Sequence, residues 1–377
     1  MKKKFLSLGL AVMLLLSVTG CAMTTPATVG TIGGVEIPAG IYLLSQYNAY
    51  QSASSGVDFS TGESAKQVAK TLKATTDTAV GDDKTVDTVA NTVEKLTTRS
   101  LEYYAAVEAK FDELGGTLED AATAEAASSA DSDWESTGDT YTANGISKNT
   151  VEDYYLNQQK AKAIPALIYG ADGSEPISTA EYTSYIQDSC VFADTIVFPL
   201  YDMSSYIFAT ADQQTAIEAL ARQCADELNE QATAETSASD MISNMFTAAQ
   251  NYLPQVFTAM GSTSFDASQS YNYVSEGLYP ADGENAANSQ ALRDAAKDAG
   301  LDTWTVVNMG MSFAVARYSD PLADNTAEEL ATNFDLMTAM KGDEVEASLY
   351  SDGAAMEHAL NTSAINTYKA SKIKMAS

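Results

Sequence analysis

Base and histidine are what this sequence has least of. Only 21 of its 377 residues are Lys or Arg, against 51 Asp or Glu, and the formal net charge is −30. An acidic surface repels a phosphate backbone, which excludes a nucleic-acid binder held by phosphate neutralisation. The single histidine, His358, excludes any site needing two imidazoles, HExxH zinc sites among them. Cysteine is scarce too: Cys21, Cys190 and Cys224. With no CxxC, neither thioredoxin-like redox chemistry nor a zinc ribbon has support. Cys190 and Cys224 read as two buried thiols, with a pairing between them left open. Phosphate loops, GxGxxG turns and GxSxG elbows are all missing. No apolar run beyond the first twenty residues is long enough to cross a bilayer. What remains is ample for folding: hydrophobic residues make up 45% of the chain, and its length suits about two domains.

The first twenty residues form an address. Lys2, Lys3 and Lys4 are a positive start, residues 5–16 a short apolar core, and small residues lead to Cys21. Residues 18–21, Val-Thr-Gly-Cys, resemble a bacterial lipobox, whose cysteine receives a diacylglyceryl group before cleavage; the plainer alternative is a secretory signal with an incidental cysteine. Lipidation at Cys21 anchors the mature chain by acyl chains alone. Cleavage removes three of the 21 basic residues, leaving 18 against 51 acids, or −33. Residues 21–31 read as a tether.

The mature chain then reads as mostly helical. A strand and turn over 31–37 precede a helix from Pro38 to about Ala53. Helices follow over about 65–75, 84–114, 117–143, 148–169 and 178–188, the last opened by a Ser178–Glu181 capping box. At Cys190 the pattern changes. Residues 191–198 alternate as a β-strand stopped by Pro199. Helices are expected over 212–229, 240–250 and 287–299, then two strands, 304–308 and 311–318, around Met309-Gly310. Residues 326–340 and 352–370 return to helix, and that places His358 on a helix as a surface or packing residue. The fold class is therefore α+β, mostly α.

Few motifs carry chemistry. Residues 371–374 match SxxK by chance in the tail, and residues 131–136 lack the glycine of a calcium loop at Ser136. Among 51 carboxylates no acid–base pair singles itself out. Tyr42, Tyr47, Tyr50, Tyr103, Tyr104, Tyr154 and Tyr155 suit a core, and some of them an amphipathic cradle for extended peptides.

The layout resembles the SurA/PrsA-like foldase lipoproteins of Gram-positive bacteria. Residues 29–37, Val-Gly-Thr-Ile-Gly-Gly-Val-Glu-Ile, followed by Tyr42, look like that family's opening "ATVNGxxI…Y" element. Residues 134–155, with Asn144-Gly145-Ile146-Ser147, and on to 167–170, are similar to its inner helices. Residues 365–373 look like its ending. The resemblance implies a helical chaperone domain from 32–189 and 321–377, with a parvulin-type peptidyl-prolyl isomerase domain inserted at 190–320. In that family two strand motifs, "KHIL" and "GYHII", bring two histidines face to face. Here Thr195 stands at the first and Ser312 at the second, so the insert is expected to keep the fold without ordinary catalysis. Cys190 and Asp194 lie beside the first strand as weaker candidates for a thiol or carboxylate role. The implied function is a membrane-anchored, extracytoplasmic chaperone for unfolded or newly secreted polypeptides, with no cofactor and no metal. A homodimer is left open, and an active isomerase or a transporter's solute-binding lipoprotein are the alternatives.

Overall fold

The computed structural model describes residues 27–57, 65–202, 207–232, 238–261, 265–283 and 286–375. The expected signal, Cys21 and residues 22–26 of the tether lie outside them. The described chain is α+β, dominated by helices, with small antiparallel sheets. Among the described residues no helix is long and apolar enough to cross a membrane. The chain divides into two compact units. One comprises residues 1–113, 117–160 and 349–377; the other comprises 114–116 and 161–348.

The first unit joins the two ends of the described chain. Strands Thr28–Ile32 and Val35–Pro38 form the expected hairpin, and His358–Leu360 pairs on its other side, Ile32 opposite His358. The first strand takes in residues 28–31, which the tether was expected to include, because Val29 and Ile32 are wholly buried against Ile41, Leu101 and Ala364. Gly30, at φ 121°, makes the close approach possible: a Cβ there would sit 2.7 Å from the Leu360 Cα. His358 is thus on a strand and not a helix, and its Nε2 lies 3.2 Å from Glu102 Oε1. Three-residue pairing with a segment far away in sequence overrides a locally helical run.

Helices Ala39–Ser54, Val89–Glu113, Asp120–Ala143 and Lys148–Tyr169 follow the expected pattern. The second begins at 89 and not 84, since residues 87–88 pair as a short strand with 75–76. The tyrosines pack: Tyr42, Tyr47 and Tyr50 are buried, and Tyr47 meets Tyr141 edge-on at 5.6 Å. Tyr103, Tyr104, Tyr154 and Tyr155 are half-buried, so none of the seven is openly exposed as a cradle needs.

The second unit is built on a four-stranded antiparallel sheet. Its order is Val274–Pro280, Cys190–Pro199, Ser312–Ser319, Trp304–Asn308. Three of these strands were anticipated, and the edge strand Val274–Pro280 was not. Helices Ala211–Gln231 and Ala238–Ala259 cover one face, burying Ile196, Phe198, Phe313 and Val315 with Cys224 and Leu253. Helix Ala286–Asp298 lies on the other face, over Ala193, Ala314 and Ala316.

This unit also draws in helices Thr179–Ser189 and Ala327–Asn333. Ile186, Leu330 and Leu336 pack on Phe192 and Leu278, and the Thr179 hydroxyl donates to Glu328 Oε1 at 2.7 Å. The helical return expected over 326–340 is broken at Asp335, whose φ is 46°. A new helix, Leu336–Ala355, starts there.

Candidate functional site

Strand alternation prepares a site on the second unit's sheet. Successive side chains point to opposite faces. Residues 196, 198, 313 and 315 therefore go under the two long helices, while 195, 197, 312 and 314 emerge on the other side. These residues, with Leu278, Tyr279, Ser289, Leu292 and Met309, line a cavity of about 600 Å³. Asp282 and Gly283 form part of its wall, as do Phe334, Asp335, Thr338 and Ala339. Small side chains on one sheet face leave the space, and the turn and helix start beside it close the edge.

Two local features shape that wall. Gly283 has φ 92°, and a Cβ on it would come 3.1 Å from the Ala339 Cα, so only glycine lets this loop reach the helix. Arg293 holds the same loop from the other side. Its guanidinium donates to the carbonyls of Pro280 and Ala286, each at 2.8 Å, and to the Ser289 hydroxyl at 2.5 Å.

Both positions matched to the imidazoles line this cavity, but they do not face each other. Thr195 lies opposite Ala316 and Ser275, whereas Ser312 lies opposite Pro199. Four residues of strand separate them, roughly 13 Å. The Thr195 side chain is buried, and its hydroxyl pairs with the Ser275 hydroxyl at 2.7 Å. A hydroxyl bonded to another hydroxyl has no base to take its proton, so Thr195 is no activated nucleophile.

The weaker candidates fall elsewhere. Asp194 is buried in an ion pair with Arg317 (Arg317 Nε to Asp194 Oδ2, 2.8 Å), on the face opposite to Thr195. Arg317 also reaches Asp302 at 3.2 Å. Cys190 sits beside Ile186 and Leu278, and burial first, then the charge of Asp282, pushes its thiol up to about 12. Cys224, under the packed face, is likewise pushed up to about 12, mainly by burial. The two are free thiols and protonated at neutral pH, so neither is a ready nucleophile.

The carboxylates at the cavity wall, Asp282 and Asp335, were not singled out from sequence. Asp282-Gly283 is a turn signal, which could have marked the loop but not where it lands. No family model, curated protein or solved structure matches the chain.

Proposed function

We propose that the protein is a membrane-anchored, extracytoplasmic chaperone that holds apolar segments of unfolded secreted polypeptides, with a parvulin-like second unit that no longer isomerises proline. Its tether is the lipidated Cys21. The observation that carries this is the cavity that both Thr195 and Ser312 line: it has room and largely apolar walls along the sheet for a side chain, and hydroxyls where the resemblance calls for imidazoles.

The sheet order supports the same view. It makes the first and last strands of the insert central neighbours, with positions 195 and 312 on the same face though offset along it. Rotation about a prolyl amide must cross a barrier of ~20 kcal/mol. The Thr195 hydroxyl, bonded to that of Ser275, can line a holding pocket but offers no imidazole to lower that barrier. Exposed apolar side chains gather on the same unit, Phe208 and Met311 among them, and Met311 adjoins Ser312. The excess of acid keeps a protein carrying such surface soluble. A transporter's solute-binding protein should show repeated βα units, and the sheets here are antiparallel throughout.

The test is aggregation of an unfolded secreted protein in the presence of the full mature chain. Suppression at stoichiometric amounts is expected, and none would overturn the holding function. In a protease-coupled assay on proline peptides the rate should equal the uncatalysed one. An acceleration would instead establish the isomerase.

A further inference from the structure

The cavity is chemically lopsided. Along the sheet its lining is uncharged: Thr195, Val197, Met309, Ser312 and Ala314. Away from the sheet it carries two carboxylates, Asp282 and Asp335, and among the described residues none that lines it is Lys, Arg or His. Arg293, which holds the Asp282-Gly283 loop, is committed to two backbone carbonyls and a serine, and Lys341 pairs with Glu344.

The two acids belong to one end. Both lie near helix Thr179–Ser189, at residues one turn apart. Tyr182 is raised by burial and then by the charge of Asp335. Tyr185 is raised by burial, then by Cys190 and Asp282. Both aspartates are on the surface, and Asp335 accepts one hydrogen bond in its own turn, from the Thr338 hydroxyl at 3.1 Å. They place two surface carboxylates next to an apolar hole, in a protein of net charge −30.

Resting on the holding function above, we infer that this cavity selects client segments in which an apolar residue is flanked by Lys or Arg. The apolar side chain enters over Val197 and Ala314, and the cation meets Asp282 and Asp335 at the rim. Opposite charges at such a rim act on encounter and register, and acidic neighbours are rejected by the same two carboxylates. The attraction is exposed to solvent, so salt screens it while the apolar contact persists.

Three labelled peptides with one apolar-proline core, flanked by Lys, by Gln or by Glu, test this by fluorescence polarisation with the full mature chain. At low salt the Lys peptide should bind roughly tenfold tighter than the Glu peptide, with Gln between, and the spread should collapse at high salt. The Asp282→Asn/Asp335→Asn double variant should bring the three together. Asn tolerates the left-handed backbone at 335, so the turn survives. Equal binding of Lys and Glu peptides to the native chain overturns the inference and leaves holding intact. A preference that survives in the double variant also overturns it, assigning the selectivity to the whole acidic surface. If none of the three binds, the holding function falls, and this inference with it.

Discussion

The two faces of the second unit's sheet divide labour between adjacent residues. On one face Ile196, Phe198, Phe313 and Val315 are large and buried beneath two helices. On the other, Thr195, Val197, Ser312 and Ala314 are smaller or polar and border a cavity. The backbone is shared, so the rigid packing of one face holds the other's geometry. A one-residue slip in register would exchange the two sets and destroy both. Stability and site are thus interleaved at a period of two, and neighbouring substitutions should have opposite consequences.

The sharpest way to break the contrast is at 313 and 314. Phe313→Ala should cost about 3–5 kcal/mol, read as an earlier urea transition in the fluorescence of Trp304, which shares its cluster. Next comes Arg317→Met, which leaves Asp194 buried without its partner and should cost about 3 kcal/mol or more by thermal melting. If that variant melts like the native chain, the ion pair is a bystander.

Ala314→Leu should behave differently from its neighbour. Ala314 is itself buried beside Leu292, but the cavity it lines can take part of the added volume, so overpacking should cost about 1–3 kcal/mol while binding of the neutral peptide falls several-fold. Unchanged binding would place clients elsewhere. Thr195→Val keeps the shape and loses the bond to Ser275; about 1 kcal/mol should disappear from denaturant stability.

The smallest effect is at Glu276, on the exposed edge strand. Burial first, and then the nearby Asp194, raise its carboxyl above the usual range. The folded state therefore binds this proton more tightly than the unfolded chain, and ionisation costs stability as pH rises through the carboxylate range. Glu276→Gln should be slightly more stable than the native chain at neutral pH and no different at acid pH. The reverse order would contradict the raised pKa.

Most helices and the central strands were legible because their apolar residues recur at the right period and some ends carry caps, as at Ser178-Glu181. The edge strand Val274–Pro280 escaped notice for a physical reason. It is half exposed, holds Gly277, and shows little alternation of buried and exposed residues. His358–Leu360 escaped because three residues among helix formers carry no periodic signal; the partner strand lies at the other end of the chain. Of the site, the positions Thr195 and Ser312 could be picked out from motif likeness. Their four-residue offset, the neighbouring Ala316 and the carboxylates at 282 and 335 could not.

Sequence alone determined composition-level facts: an acidic chain, one imidazole, and mostly helix around a β-rich middle. These depend on local periodicity and on counting, which need no partner. Only the tertiary structure decided that residues 28–32 and 358–360 meet in one sheet, that Cys190 and Cys224 stay free, and that Asp282 and Asp335 line the same cavity as Thr195. Such placements come from pairing and packing between residues far apart in the chain, where the free energy lies in contacts that no local window contains.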